Sequence, residues 1–181
     1  MLILASKSPR RKELLEKANI EFIIDTVETE EIFNHDLSIE DALIDIARQK
    51  ALPVFNKHQE DIVLGADTIV VCDNQILGKP KNIANAKEML RSLSNKAHYV
   101  MTGVVIKSKA KEISFVVKTK VYFKNLTESD IEILTTKENV LDKAGAYAIQ
   151  GEAGNYITKI EGNYNNVVGL PIEEVIKYLN L

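Results

Sequence analysis

The chain has 181 residues, 45% of them hydrophobic and 27% charged, with a formal net charge of −3. That length suits one domain or two small lobes sharing a sheet, and the composition is that of an ordinary globular protein. The charge balance excludes bulk attraction to nucleic acid or an anionic membrane, so any bound anion must be held by a local cluster or a metal. A single cysteine, Cys72, excludes an intrachain disulfide and fits a reducing cytoplasm; within its apolar run it reads as a small core residue. The N-terminal apolar stretch is too short for a signal peptide and ends at Ser8-Pro9. No segment approaches the length of a membrane span.

In chain order, Leu2–Ala5 reads as a strand and Pro9–Ala18 as a helix, with Ser8 as N-cap and Pro9 at the first helical position. Glu21–Val27 is a second strand. Ser38-Ile-Glu-Asp41 resembles a capping box and opens a helix to about Leu52. Ile62–Cys72 is a long buried strand followed by a turn at Asp73-Asn74. Ala86, Met89, Leu90 and Leu93 mark a helix by their spacing. Strands at Tyr99–Lys107 and Glu112–Phe123 are joined by the polar link Ser108–Lys111, and the second alternates so that one face is wet. Thr127-Glu-Ser-Asp130 caps another helix. Short strands are expected near Ala146–Ile149 and Tyr156–Ile160, and Pro171 opens a last helix with Ile172, Val175, Ile176 and Leu179 inward. Strands that alternate with helices and then form a hairpin predict a mixed α/β sheet. His35, His58 and His98 lack metal-ligand spacing and read as surface or loop residues, and no Walker A, GxGxxG or GxSxG pattern is present.

Several residues break local rules. Arg10 and Arg11 sit in the first turn of a helix, the positive end of its dipole. Two guanidinium forks beside free N–H groups make an anion site, although a solvated helix start tolerates the pair at a small cost. Lys50 falls on the apolar face that Ile39, Leu43 and Ile46 define, so it must snorkel or meet an anion. Asp67 and Thr68 interrupt an apolar strand, where a buried carboxylate is costly unless paired, hydrogen-bonded or on a metal. Pro80 holds Lys79 extended. Glu28, Glu30 and Glu31 form an acidic group; such groups are mostly solvated, but one member can ligate a metal.

Together these pieces resemble the Maf family of nucleoside triphosphate pyrophosphatases. The motifs are LASKSPRR (4–11), GADTIV (65–70), GKP (78–80), MTGV (101–104), DKAGAYAIQG (142–151) and GNYNNVVGLP (162–171), in order from end to end. The resemblance implies one α/β domain over 1–181, a mixed twisted sheet flanked by helices, with two lobes around a central cleft. It implies a homodimer, while the cysteine usage and charge above lead us to expect a cytoplasmic protein that binds neither nucleic acid nor membrane. It implies metal-assisted water attack at the α-phosphorus, releasing a monophosphate and pyrophosphate, with Mg²⁺, Mn²⁺ or Co²⁺ as cofactor. Asp67 matches the family's proton acceptor. Ser8, Arg10, Arg11, Glu31, Lys50 and Lys79 match its polar cleft residues, and Glu31 with Asp67 would hold the metal. Arg10, Thr68 and Gln150 match positions linked to base selectivity, in the form found in the subgroup acting on dTTP and UTP. Two alternatives stay open: an inosine or xanthosine triphosphate pyrophosphatase, and a regulatory nucleotide-binding protein of septum formation and cell-division arrest.

Overall fold

The computed structural model describes residues 1–179, so the last two positions of the expected domain lie outside the described residues. The chain runs β1 (Leu2–Leu4), α1 (Pro9–Lys17), β2 (Phe22–Ile24), α2 (Ile39–Lys57), β3 (Ile62–Cys72), β4 (Gln75–Leu77), α3 (Ile83–Leu93), β5 (Ala97–Lys107), β6 (Glu112–Phe123), α4 (Glu128–Lys137), β7 (Ile157–Glu161), α5 (Tyr164–Val168) and α6 (Ile172–Leu179). The strands pair in the order β2-β1-β3-β5-β6-β7, with β4 on β3. β1 is parallel to β2 and β3, whereas β4 on β3 and β7 on β6 are antiparallel. The sheet is thus mixed, as the alternation of elements predicts. By compactness the chain divides into two units, each described by itself. No helix of the described residues is long and apolar enough to cross a membrane.

The first unit comprises Met1–Thr68, Thr102–Val117 and the chain from Gly169 on. β1 is buried along its whole length, as a strand with parallel neighbours on both sides requires. Ser8 caps α1, and Leu14 and Leu15 bury the helix. α2 begins at the Ser38 cap but does not end near Leu52; it continues through Pro53 to Lys57. Proline removes one helical N–H, yet Ala51 and Val54 on either side are fully buried against Ile3, Val63 and Val105. Packing there outweighs the local propensity that predicts a stop.

Two glycines set how closely α2 lies on the sheet. A Cβ on Gly65 would stand 2.5 Å from Ala47 O and 2.8 Å from Ala51 Cβ, and one on Gly103 would stand 2.8 Å from Leu43 O. The helix presents small residues to strands that present hydrogen, so backbone approaches backbone.

The second unit comprises Ile69–Met101 and Lys118–Val168. Asp73 and Asn74 both adopt left-handed φ (50° and 62°), the geometry of a tight hairpin turn between β3 and β4. α3 and α4 bury Ala86, Leu90, Leu93, Ile131 and Leu134 against Val121 and Phe123. Thr127 and Asp130 complete the capping box of α4.

The strand expected near Ala146–Ile149 does not form. Gly145 and Ala146 are left-handed (φ 69° and 63°) in a 3₁₀ turn, and Gly145 N–H donates to Gly78 O at 3.1 Å. A short apolar run does not distinguish a strand from a buried turn; here Ala146, Tyr147 and Ile149 are buried without pairing.

His98 is also not a surface residue. It is 1% exposed in β5, with Nε2 2.7 Å from the Tyr147 hydroxyl and its ring edge-on to Phe123. Its Nδ1 has no hydrogen-bond partner among the described residues. Burial pushes the imidazole down to about 4, because a second N–H and a charge would both go unmet.

Two outcomes are expected. Gly65→Ala should lower Tm by roughly 3–9 °C, the consequence of overpacking a tight contact. Gly78→Ala, whose methyl meets nothing within 4 Å, should leave Tm unchanged. Equal Tm values for the two variants would contradict the close approach of α2. The second outcome concerns acid. The unfolded chain takes up a proton on His98 near pH 6.5 while the folded chain refuses it down to about pH 4. This contribution to stability is therefore complete above pH 6.5 and is lost as pH falls through that window. Urea unfolding should show the protein losing about 2 kcal/mol more than His98→Gln between pH 6.5 and pH 4.5. Parallel pH curves for the two proteins would exclude a buried neutral histidine.

Candidate active site

Position 67 alternates with its neighbours across β3. Gly65 and Asp67 share one face of the strand, and Thr68 takes the other. Each face meets a cation from a different helix of the first unit.

On the Asp67 face, α2 supplies Lys50. Its Nζ lies 2.5 Å from Asp67 Oδ1 and 3.2 Å from Glu31 Oε2. The Lys50 and Asp67 side chains retain 18% and 23% of their accessible surface, so the pair is shielded but open to a ligand. Glu31, at 46%, comes from the irregular segment between β2 and α2. The lysine on an apolar helix face thus meets two carboxylates, one of them the carboxylate that interrupts β3.

On the other face, α1 supplies Arg11, which is 8% exposed. Nε donates to Gly169 O at 2.9 Å, Nη1 to Ser6 Oγ at 3.2 Å and Ala66 O at 2.8 Å, and Nη2 to Thr68 Oγ1 at 3.1 Å. Four of the five guanidinium N–H donors are used inside the protein. Burial lowers the Arg11 pKa, and the nearby Asp67 charge opposes that shift.

Of the two guanidinium forks expected to converge on an anion, that of Arg11 has four donors used within the protein. Arg11 turns inward to bind the backbone around Asp67, while Arg10, half-buried, makes none of these bonds. The inward turn also resolves the conflict with the helix dipole, because the charge is satisfied by carbonyls outside the helix. Ser8 Oγ caps the helix by accepting the Arg11 backbone N–H at 3.5 Å. The Thr68 hydroxyl accepts from Arg11 and lies 2.9 Å from Thr102 Oγ1.

Two more of the expected residues, Lys79 and Gln150, belong to the second unit, and both are exposed.

Gln49 escapes the pattern-based reading. Its amide accepts Ile32 N–H and donates to Ile32 O, each at 2.9 Å, so it clips the segment beside Glu31 onto α2. A glutamine on a half-exposed helix face carries no signal of such a role. Ser6, Thr102 and Gly169 lie in or beside the quoted motifs, but only their contacts reveal what they hold.

As donors for a metal, Glu31 and Asp67 stand together on one ammonium. Among the described residues no group of three or more His, Cys, Asp or Glu side chains is placed to hold an ion. Two carboxylates fit a hard divalent cation that completes its shell with water and phosphate oxygens, and they do not fit zinc.

Comparison with known proteins agrees over the full length. A sequence model of the Maf family, described as Maf-like protein, matches residues 1–181. A Bacillus cytotoxicus protein named dTTP/UTP pyrophosphatase is 50% identical over 177 residues, covering 98% of this chain and 93% of that protein. Proteins of the same name from Bacillus mycoides (strain KBAB4) and Bacillus cereus (strain G9842) are each 49% identical over 178 residues, with the same coverage. With its motifs, its mixed sheet and this end-to-end similarity, the chain belongs to the Maf family.

Proposed function

We propose that the protein hydrolyses dTTP and UTP to the nucleoside monophosphate and pyrophosphate. The observation that carries this reading is the Lys50 ammonium held between Asp67 and Glu31 on one face of β3. The names of relatives about half identical to it support the pyrimidine substrates over inosine or xanthosine triphosphate.

A triphosphate brings about four negative charges, more than a single helix N-terminus balances. Its oxygens compete with the two carboxylates for Lys50, and Arg10 supplies a further cation; the family resemblance adds Lys79 to this proposal. Once Lys50 turns to phosphate, Asp67 is free to accept a proton. Water adds its oxygen to the α-phosphorus, its proton passes to Asp67, and the bond to the β-bridging oxygen breaks. The electron pair leaves with pyrophosphate.

Glu31 and Asp67 would hold Mg²⁺, Mn²⁺ or Co²⁺. Such an ion lowers the pKa of a bound water and offsets charge on the phosphate oxygens. In this scheme Arg11 keeps β3 in register so that Asp67 is aimed. The family resemblance gives base reading to Arg10, Thr68 and Gln150; the Thr68 hydroxyl is bonded to Arg11 and Thr102, and the amide of Gln150 is exposed, with a donor and an acceptor for a base edge. A homodimer, implied by the family resemblance, and a cytoplasmic location, suggested by the single cysteine, form part of the same proposal.

Asp67→Asn should reduce kcat for dTTP by roughly 10²–10⁴-fold with nucleotide binding retained, because size is kept and the proton acceptor removed. Product analysis with Mg²⁺ or Mn²⁺ should show pyrophosphate and a monophosphate from dTTP and UTP, with much weaker use of dATP, dGTP and 7-methyl-GTP. Orthophosphate plus a diphosphate would overturn attack at the α-phosphorus.

Lys50→Ala should lower kcat/KM by about a hundredfold, from the loss of a phosphate-facing cation. Loss of the fold with intact specific activity in the surviving fraction would assign Lys50 to structure alone.

A further inference from the structure

The segment that carries Gln150 is pinned on both sides. Ile149 before it is buried, and Ala153 beyond it is fully buried. Gly151 N–H donates to Ala148 O, and Gly154 N–H to Gly151 O, both at 3.1 Å. A further hold comes from the end of α4. The Glu138 carboxylate accepts the backbone N–H of Glu152, and Lys137 Nζ pairs with the Glu152 carboxylate at 3.3 Å.

Gly151 explains why the carboxylate fits. Its φ is −104°, a conformation open to any residue, so the backbone does not demand glycine. The demand is for space, because a Cβ at 151 would overlap the Glu138 carboxylate. The acid at 138 occupies the volume that a side chain at 151 would take. From there it bonds the next residue's N–H. An acid at 138 and a glycine at 151 are two halves of one contact, and Gln150 is the exposed residue directly before it.

We propose that Glu138 is a positioning residue for base selection: seated against Gly151 and bonded to Glu152 N–H, its carboxylate fixes the direction in which Gln150 presents its amide to a pyrimidine base. The proposal rests on the reading of Gln150 as the residue that reads the base edge. An amide that pairs one donor and one acceptor with a base must be held within tens of degrees, and a surface loop supplies that only when pinned from behind.

The test compares kcat/KM for UTP and dTTP with kcat/KM for dGTP, in Mg²⁺, across a set of variants whose folding is checked by Tm. Gln150→Ala should lower the pyrimidine-to-purine ratio. Glu138→Ala and Gly151→Ala should each lower it about tenfold, the scale of one lost specificity contact. The double variant should fall no further than either alone, because both remove the same contact. Glu138→Gln keeps an acceptor oxygen and should stay within about threefold of the parent ratio.

If Gln150→Ala changes the ratio while Glu138→Ala and Gly151→Ala preserve it, the positioning role is overturned and the reading of Gln150 survives. Should Gln150→Ala itself preserve the ratio, both fall. Were Glu138→Ala not to fold, Gly151→Ala decides alone, since its methyl displaces only the tip of a flexible side chain.

Discussion

Strand β3 carries a carboxylate and a hydroxyl through a largely apolar stretch, and the surrounding unit is arranged around that carboxylate. A charge in such a place must be paired. The partner is Lys50, which reaches Asp67 across the close contact of α2 with β3. That closeness depends on Gly65 opposite Ala47 and Ala51, two positions before Asp67 on the same face of the strand. Packing and chemistry are thus one arrangement: the absence of a side chain at 65 brings the ammonium to the carboxylate at 67.

The opposite side of β3 is held with equal economy. Arg11 ties Ala66 O and Thr68 Oγ1, which bracket Asp67, to Ser6 Oγ and Gly169 O. A buried guanidinium is tolerated because its donors are satisfied, chiefly by fixed backbone carbonyls and hydroxyls. The strand can neither shift along its axis nor tilt without breaking these bonds. For the proton acceptor proposed at Asp67, such preorganisation matters because small errors in aim cost large factors in rate.

The charge cluster on the Asp67 face is unbalanced. Two carboxylates share one ammonium, an arrangement with a negative excess that a divalent cation relieves. In the function proposed above, the same ammonium is the one drawn to phosphate. Gln49 contributes by clipping Ile32 to α2, so Glu31 approaches Lys50 on a segment without regular structure.

Local features are legible along the chain. The caps at Ser8, Ser38 and Thr127, the Asp73-Asn74 turn and the span of β3 follow from side-chain bonding to nearby backbone and from alternation. The sequence also marked Arg10, Arg11, Lys50, Asp67 and Thr68 as residues at odds with their surroundings, and motif order pointed to the family. How those conflicts are resolved depends on packing. Arg11 bonds Gly169 across 158 positions, and Lys50 meets Asp67 across 17. Periodicity along a chain does not encode such pairings. Nor does it separate Arg10 from its neighbour, bury His98, carry α2 past Pro53 or turn Ala146–Ile149 away from a strand. In each case the outcome depends on which distant surface a residue meets, and that is settled when the elements pack.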